Sequence, residues 1–269
     1  MIEAGAALAA TMESIARGAG VILMRHYEKL EKRDIGFKGP RDLLTIADRE
    51  SEAHVVLALQ QAFPDHAIWA EEGGGDARAK DSYAAGRPVW FIDPLDGTTN
   101  YAHGHPIFAV ALGLWQSGRP VAGCIYAPRL DEMFVGVEGF GATLNGRPIR
   151  VSSAPTIKDA LLATGFAYRL DEAPDDNTEN FRRIVRQARG VRRCGSAGLD
   201  LAFVAAGRYD GFWELDLAPW DVAAGGALIR CAGGRVGDFR GGEEWLFGGN
   251  IIASNGLVHD EIAVNLNPR

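Results

Sequence analysis

The chain has few cysteines, no long uninterrupted apolar segment and no excess of basic residues. Its three cysteines, Cys124, Cys194 and Cys231, lie far apart and form no Cys-x-x-Cys pair. They therefore predict neither a zinc site nor a disulfide framework, and reduced, buried thiols in a cytoplasmic protein are expected. No apolar run approaches the roughly 20 residues of a membrane span, and the N-terminus lacks a secretory signal pattern. The net charge of -7 disfavours nucleic-acid binding, which uses clustered Lys and Arg.

What is present is typical of a globular α/β protein. Of the 269 residues, 47% are hydrophobic and 23% are charged, which excludes a disordered chain. Residues 108–137 form short apolar runs separated by turn signals, whereas the second half alternates helix and strand patterns, which predicts a mixed α/β sheet. The Ser-Ser-Ala-Pro stretch at 152–155 is the best boundary, so we expect two halves, 1–150 and 151–269.

Local patterns give more specific expectations. Apolar spacings of three and four predict a helix over the first thirty residues. The charged segment 29–38 is expected to be a loop, and 76–86 a mobile excursion. Asn145-Gly146 is a strong hairpin turn signal. Six arginines between Arg182 and Arg193, preceded by five acids, are interpreted as a solvated helix with local charge compensation.

The most informative segment runs from residue 90 to residue 100 and reads Trp-Phe-Ile-Asp-Pro-Leu-Asp-Gly-Thr-Thr-Asn. A buried strand is expected to end in a turn at Asp93. Asp93 and Asp96 would offer carboxylate oxygens to a hard cation. Gly97 tolerates unusual dihedrals, and the Gly-Thr-Thr start of a short helix suits an anion. A cation beside an anion is the geometry of metal-assisted phosphoryl chemistry, although this sequence alone is also an ordinary turn.

Three further acids stand where such a site would need them. Glu71 follows a short strand and precedes three glycines, so its side chain has room to enter a cleft. Asp221 and Asp48 each lie near a predicted helix start, where helix capping and the helix dipole also favour an aspartate. Thr45 and Asp48 partly match a capping box. Taken singly, Asp48 and Asp221 are therefore compatible with a structural or a functional role.

Taken in order, these pieces resemble the inositol monophosphatase family of metal-dependent phosphatases. The resemblance extends from residue 42 to residue 254. It rests on Trp90–Asn100 and on the segment 220–234, which reads Trp-Asp-Val-Ala-Ala-Gly-Gly-Ala-Leu-Ile-Arg-Cys-Ala-Gly-Gly. The segments 42–48 and 70–73 fit as well. The resemblance implies the layered α/β fold of the sugar phosphatases, with two sub-domains and the active site between them. Most metal ligands would lie in the half 1–150, and the substrate pocket with Asp221 in the half 151–269.

The resemblance also implies roles for individual residues. Two or three Mg²⁺ per active site would be held by Glu71, Asp93, the Leu95 carbonyl, Asp96 and Asp221. The backbone of Gly97, Thr98 and Thr99 would hold the phosphate. The catalytic residues would be Asp48, Glu71 and Thr98. A metal-activated water would attack phosphorus in line, and either the Thr98–Asp48 pair or Glu71 would take its proton.

The substrate side is implied in the same way. Substrate contacts would come from Asp96, Gly195, Ser196, Ala197, Glu214 and Asp221. Ala218 departs from the family pattern, because the animal inositol enzyme carries a histidine there. Arg169 could reach a second anionic group, although a solvated surface arginine is the more common state.

The expected function is magnesium-dependent hydrolysis of inositol monophosphate or a related sugar or polyol phosphate. Histidinol phosphate, fructose 1,6-bisphosphate and adenosine 3',5'-bisphosphate are the alternative substrates. An interaction protein of transcription or ribosome-assembly complexes, with residual phosphatase activity, is the alternative of a different class. A lithium-sensitive, cytoplasmic homodimer is expected from the resemblance.

Overall fold

The computed structural model describes residues 2–39, 43–73, 77–167 and 176–266, and within them helices and sheets stack in alternating layers. The helices of this described part are α1 (Ile2–His26), α2 (Ile46–Ala62), α3 (Ala79–Ala84), α4 (Thr98–Ala102), α5 (Thr178–Val185), α6 (Ala197–Ala205), α7 (Pro219–Cys231) and α8 (His259–Leu266). Its strands are β1 (Ile35–Phe37), β2 (Leu43–Thr45), β3 (Ala67–Ala70), β4 (Val89–Asp96), β5 (Ala109–Gln116), β6 (Arg119–Ala127), β7 (Glu132–Val137), β8 (Gly141–Leu144), β9 (Arg147–Ile149), β10 (Leu161–Thr164), β11 (Gly190–Arg192), β12 (Gly211–Leu215), β13 (Arg235–Gly237) and β14 (Asn250–Ser254).

The first half builds a seven-stranded sheet in the order β3-β4-β5-β6-β7-β8-β9. Only the β3–β4 pair is parallel, and the remaining pairs are antiparallel. The predicted hairpin between β8 and β9 is confirmed, with positive φ at both Asn145 and Gly146, as a type I′ turn requires. The strands predicted from the apolar runs between 108 and 137 are confirmed as β5, β6 and β7.

Strand β4 lies between two layers of helices and is buried along its whole length. Val89 and Phe91 join the core shared with α6 and α7, whereas Trp90 and Ile92 join the core shared with α1 and α2. Successive side chains of a strand point to opposite faces, so a strand buried on both faces appears in the sequence as a continuous apolar run. This burial fixes where the strand ends, and its end carries Asp93 and Asp96.

The second half builds a five-stranded sheet in the order β11-β10-β12-β14-β13. Helices α6 and α7 lie between the two sheets, and α5 and α8 cover the outer face of the second sheet through Ile184, Ile262 and Leu266. The chain passes from the first sheet to the second between β9 and β10, where the sequence predicts the boundary. The layers are therefore helices, sheet, helices, sheet, helices, which confirms the predicted α/β fold class.

Three glycines let α7 approach the first sheet closely. Gly113 pairs with Gly123, and Gly123 pairs with Gly136, so the three lie side by side across β5, β6 and β7. A Cβ atom added to Gly123 would lie 2.2 Å from the Ala224 carbonyl oxygen of α7. Added at Gly113, it would lie 2.8 Å from atoms of Ala223 and Ala224. Helix α7 therefore packs directly against the sheet backbone at these glycines.

Helix α1 corrects one expectation from composition. Its segment Gly5–His26, with a mean hydropathy of 1.3, is long and apolar enough to cross a membrane by length and composition alone. A single such helix is weak evidence, because a core helix meets the same criteria. Met12, Ala16 and Ala19 are fully buried beside β6 and α2, and 33% of the most apolar window of this segment is buried, so α1 packs one face against the core.

Other local expectations are wrong for physical reasons. The segment expected to be a loop at 29–38 contains a 3-10 turn and β1, which pairs with β2. Residues 79–84, within the expected mobile excursion, form α3 against β3 and β4. The arginine-rich segment 182–193 is not one helix, because α5 ends at Val185 and β11 pairs with β10. Each of these elements is short and depends on distant partners.

Candidate active site

Strand β4 carries two aspartates at its end. The predicted turn at Asp93 is wrong: the extended chain continues to Asp96, with an irregularity in its pairing with β5 between the two residues. Pro94 lacks a backbone N–H, which favours such an interruption. The Asp93 Oδ1 atom accepts a 3.0 Å hydrogen bond from the Leu95 N–H. The irregularity places Asp93 and Asp96 at the same cleft.

Gly97 makes the turn from β4 into α4. Its φ of 89° lies in the left-handed region, which glycine adopts without steric cost. A Cβ atom there would lie 3.0 Å from the Ile107 carbonyl oxygen and 3.2 Å from that of Gly195. Glycine at 97 therefore allows the start of α4 to contact the Gly195 turn of the second half.

Asp48 reaches the same region from the first turn of α2. Its Oδ2 atom accepts hydrogen bonds from the Thr45 N–H at 2.7 Å and the Thr45 hydroxyl at 2.6 Å. Its Oδ1 atom lies 3.1 Å from the Thr98 hydroxyl, which can instead donate to the Leu95 carbonyl at 3.0 Å. Burial raises the pKa of Asp48 to about 6, against opposing hydrogen bonds from Thr45 and Thr98. Asp48 therefore completes the capping box with Thr45 at the start of α2 and contacts Thr98 at the same time.

Asp96 is fixed by the start of α6. Its carboxylate accepts hydrogen bonds from the Ser196 hydroxyl, from the Ala197 N–H at 3.1 Å and from the Gly198 N–H at 2.8 Å. Burial raises the pKa of Asp96 to about 6, and these donors oppose the rise. The contact joins the end of a strand in the first half to a helix of the second half.

Two acids of the second half face the same cleft. Asp221 lies in the first turn of α7, where its Oδ2 atom accepts a 2.7 Å hydrogen bond from the Ala218 N–H. Glu214 lies in β12, and its carboxyl group packs against Gly165, where an added Cβ would lie 2.1 Å away. Burial, and then the charge of Asp200, raise the pKa of Glu214 well above its usual range.

Glu71 follows β3 and is paired with a lysine that sequence reasoning missed. The Lys38 Nζ atom lies 2.7 Å from Glu71 Oε1 and also contacts Glu72. Burial lowers the pKa of Lys38, but the neighbouring Glu71 and Glu72 more than offset this and the net shift is upward. Burial raises the pKa of Glu72 to about 7. The Lys38 ammonium group is thus paired with Glu71 but does not itself line the cleft.

One cleft gathers most of the predicted residues. Its lining includes Glu71, Asp93, Leu95, Asp96, Gly97, Thr98, Gly195, Ser196, Ala197, Glu214 and Asp221. Asp48 and Thr99 do not line it. Asp48 instead accepts a hydrogen bond from Thr98, which does line the cleft. Ala218 does not line the cleft, whereas the preceding residue, Leu217, does. Gly165, Phe166 and Arg193 also line the cleft, and sequence reasoning assigned them no site role. Arg169 lies outside the described residues.

The cleft concentrates negative charge away from water. Burial, followed by the charges of Glu71, Asp96 and Asp221, raises the pKa of Asp93 well above its usual range. Burial and then Glu71 do the same for the pKa of Asp221. Like charges that cannot be solvated disfavour ionisation, so a bound cation would stabilise this group of carboxylates.

The donor set fits a hard divalent cation in chemistry. Carboxylate oxygens and a backbone carbonyl are the ligands that Mg²⁺ prefers. Across the residues described, however, no group of three or more His, Cys, Asp or Glu side chains is already arranged to hold a metal ion. Glu71 is turned to Lys38, and Asp221 to the Ala218 N–H. Metal binding would therefore require these side chains to exchange protein donors for the ion.

Comparisons with known proteins identify the family of this chain. A family model described as the inositol monophosphatase family matches residues 6–267. The Nus factor SuhB of Pseudomonas aeruginosa is 43% identical over 260 residues, which cover 94% of this chain and 93% of that protein. The inositol-1-monophosphatase of Mesorhizobium japonicum is 40% identical over 255 residues, which cover 95% of this chain and 94% of that protein. The crystal structure of extragenic suppressor protein suhB from Bartonella henselae matches with a TM-score of 0.89 at 39% identity, covering 97% of this chain and 99% of that one.

The layered fold and its carboxylate-lined cleft, together with these relatives, define a phosphoric monoester hydrolase. The match extends over nearly the whole chain, and the chain belongs to the inositol monophosphatase family. The resemblance inferred from the sequence motifs is therefore confirmed. Enzymes of this family depend on metal ions, typically Mg²⁺.

Proposed function

We propose that this protein hydrolyses a small polyol or sugar phosphomonoester, with inositol monophosphate as the first candidate, in the presence of Mg²⁺. The observation that carries the proposal is one cleft in which Asp93 and Asp96 of β4 meet Asp221 of α7. The turn at Gly97 and Thr98 lines the same cleft. Acidic oxygens beside a backbone turn that can accept an anion suit phosphoryl transfer.

The residues that would hold Mg²⁺ are Glu71, Asp93, the Leu95 carbonyl, Asp96 and Asp221. Two or three ions per site are proposed. When bound, Mg²⁺ would polarise the phosphoryl oxygens, lower the pKa of water and neutralise charge on the leaving oxygen. Lys38 would have to release Glu71 for that carboxylate to serve as a ligand. Removal of divalent cations with EDTA should abolish turnover.

The phosphate would lie against the backbone at Gly97, Thr98 and Thr99. Thr98 has one hydroxyl proton and two acceptors, Asp48 Oδ1 and the Leu95 carbonyl. When the hydroxyl donates to Asp48, its oxygen can accept a proton from the attacking water. Asp48, with a pKa of about 6, can then receive the proton from Thr98 near neutral pH. Glu71 is the alternative base.

The alcohol would occupy the second-half side of the cleft. Ser196, Ala197 and Glu214 line that side together with Gly195. The buried Glu214 carboxyl has a raised pKa, so in its protonated form it can donate to or accept from a substrate hydroxyl. This arrangement supports polyol recognition without requiring a histidine at position 218.

The direct test is a phosphate-release panel with Mg²⁺, with and without lithium. It contains inositol 1-phosphate, histidinol phosphate, fructose 1,6-bisphosphate and adenosine 3',5'-bisphosphate. We expect the highest kcat/KM on inositol 1-phosphate, inhibition by lithium and no turnover in EDTA. A panel with no metal-dependent phosphate release on any compound would rule out the proposed reaction.

A second candidate function is favoured by the similarity to the Nus factor SuhB of Pseudomonas aeruginosa. This chain would then act as an interaction protein of transcription complexes with residual activity. Binding of wild-type protein and the Asp96→Asn variant to RNA polymerase with Nus factors separates the two functions. Equal, tight binding by an inactive Asp96→Asn protein would favour this candidate, and no binding by either would exclude it. A cytoplasmic homodimer is proposed in both cases, and light scattering would give twice the 28.9 kDa chain mass.

A further inference from the structure

We propose that Arg193 is a specificity-determining residue of the cleft, which binds a second anionic group on the alcohol side of the substrate. The inference rests on the proposed function and adds to it: among sugar phosphomonoesters, those with a further phosphoryl or carboxylate group would gain a contact with Arg193. Arg193 belongs to the arginine-rich segment that the sequence interprets as a solvated helix. The structure instead places it directly after β11, at the cleft.

The glycine two residues further on brings the Arg193 side chain over the substrate segment. Gly195 has a φ of 82°, and an added Cβ there would lie 2.6 Å from the Arg193 Nη1 atom. The guanidinium group therefore occupies the space that any other residue at 195 would fill. The Gly195 carbonyl oxygen in turn lies close to the Gly97 turn, 3.2 Å from where a Cβ of residue 97 would be. The Arg193 guanidinium group therefore packs against the same residue, Gly195, that lies beside the proposed phosphate-binding turn at Gly97.

Arg193 differs from the other residues of the cleft in charge. It is the one basic side chain among the described residues that line the cleft, whereas Glu71, Asp93, Asp96, Glu214 and Asp221 are acidic. A bound substrate places its scissile phosphate against the carboxylate side. A second anion on the same molecule would then have Arg193 as the basic partner among the residues that line the rest of the cleft.

The guanidinium also has unused hydrogen-bonding capacity. Among the described residues, Arg193 has no hydrogen bond or ion pair, whereas Arg208 pairs with Glu132 and Arg182 with Glu179. Its side chain is exposed at the cleft, so a ligand can reach it. A guanidinium presents five donors in a planar fork that matches a carboxylate or phosphoryl group.

Burial weakens the nearby acids as partners for this charge. Glu214 and Asp200 lie within electrostatic reach of Arg193, which lowers the pKa of each. Burial outweighs that effect, and both pKa values are raised well above the usual range. Burial thus opposes the ionisation of both carboxyl groups, which weakens their competition with a ligand for the guanidinium group.

The test compares two substrates that differ only in the second anion, fructose 1-phosphate and fructose 1,6-bisphosphate. We expect the wild-type protein to favour the bisphosphate in kcat/KM by about tenfold. Arg193→Gln should lose that tenfold on the bisphosphate, equivalent to about 1.4 kcal/mol, and change by less than about threefold on the monophosphate. The loss should appear in KM, because the second anion is bound equally in the ground and transition states.

Two further variants distinguish binding from structure. Arg193→Lys should keep part of the preference, since it keeps the charge but not the fork. Arg192→Gln is the matched control: Arg192 is the exposed neighbour whose Nη1 donates to the Val191 carbonyl and which does not line the cleft. It should leave both substrates unchanged. The preference should also weaken as salt rises above about 0.1 M, because an exposed charge is screened.

Several outcomes would overturn the inference. Equal losses on both substrates in Arg193→Gln would show a structural role. A changed molecular mass in light scattering, with loss on both substrates, would make Arg193 an interface residue. Wild-type turnover of the monophosphate without preference for the bisphosphate would remove the inference and leave the proposed function intact. Absence of metal-dependent turnover on either compound would instead contradict the proposed function.

Discussion

At the residue scale, the acids of the cleft have different environments although they share one cavity. Asp93 accepts a hydrogen bond from the Leu95 N–H and otherwise faces Glu71, Asp96 and Asp221. Asp96 is compensated by the donors at the start of α6. Of these two aspartates, Asp93 therefore has the greater need for a cation, and its removal tests the metal site most directly.

We expect Asp93→Asn to lose at least about 100-fold in kcat/KM, because an amide is a poor substitute for a carboxylate between cations. In EDTA its free energy of unfolding should equal or exceed that of the wild type, since one buried like charge is removed. Phosphate release and urea denaturation measure the two effects. Asp81→Asn, on the exposed side of α3, is the control and should change neither. Near-normal turnover of Asp93→Asn would contradict the ligand role.

The pKa of Asp48 predicts a pH dependence of stability. Folding raises this pKa from its ordinary value of 3.8 to about 6. The folded protein therefore binds more protons than the unfolded chain between these values, so the stabilisation is complete below about pH 4 and is lost as pH rises through 6. In metal-free protein, Asp48→Asn should show a fall in unfolding free energy from pH 4 to pH 7 that is smaller by about 2–3 kcal/mol. Identical pH slopes in the two proteins would contradict this pKa.

At the element scale, α7 positions Asp221 through contact with bare backbone. The row formed by Gly113, Gly123 and Gly136 removes side chains from the interface between α7 and β5–β7. Side chains can change rotamer to relieve strain, but a carbonyl oxygen fixed in a helix cannot. The position of the first turn of α7, and with it Asp221, is therefore sensitive to a single methyl group in the sheet.

Gly123→Ala should destabilise the protein by about 2–3 kcal/mol, because its Cβ would overlap the Ala224 carbonyl and force α7 to move. Activity should fall in the surviving folded protein, since Asp221 moves with the helix. Urea denaturation and phosphate release at saturating Mg²⁺ are the measurements. Gly36→Ala is the matched control: its Cβ would lie 3.6 Å from the Leu44 carbonyl oxygen, an ordinary van der Waals contact, and we expect a change below about 0.5 kcal/mol. Wild-type stability in Gly123→Ala would disprove the close approach.

The elements also show what sequence patterns can and cannot predict. The buried apolar run 89–92 is enough to predict that Asp93 and Asp96 lie near the end of a strand. β11 was not predicted, because its pairing with β10 depends on residues about thirty positions away in the chain. The arginine spacing in that region also suits a helix, so the sequence does not indicate that Arg193 lies at the cleft. Lys38 was missed for a related reason: its partners Glu71 and Glu72 are brought to it by folding.

At the scale of the whole molecule, the two halves share one core. The cluster that contains Phe91 and Phe134 of the first half also contains Leu199, Phe212 and Val222 of the second. The rings of Trp115 and Trp245 meet across the halves, with centroids 5.1 Å apart. The division at 152–155 remains our proposal for how the chain is organised, but burial of this extent argues that neither half is stable alone.

Hydrogen exchange should therefore give the same opening free energy for the slowest amides of β5 and of β12. Both strands contribute to the shared core, so their amides should exchange only through global unfolding. Mass spectrometry of metal-free protein across a urea series provides the measurement. Opening free energies that differ by more than about 2 kcal/mol between the two strands would show that the halves unfold separately.

The contacts of the cleft acids with helix starts have a consequence for descent within the family. Asp48 completes the capping box of Thr45 at α2, Asp96 accepts from the first N–H groups of α6, and Asp221 accepts from the Ala218 N–H before α7. These hydrogen bonds give the three acids a structural role that would persist in a descendant that no longer hydrolyses phosphate. Neither Glu71 nor Asp93 lies at the start of a helix. Their loss by mutation is therefore the change that would mark a family member that has abandoned catalysis while keeping the fold.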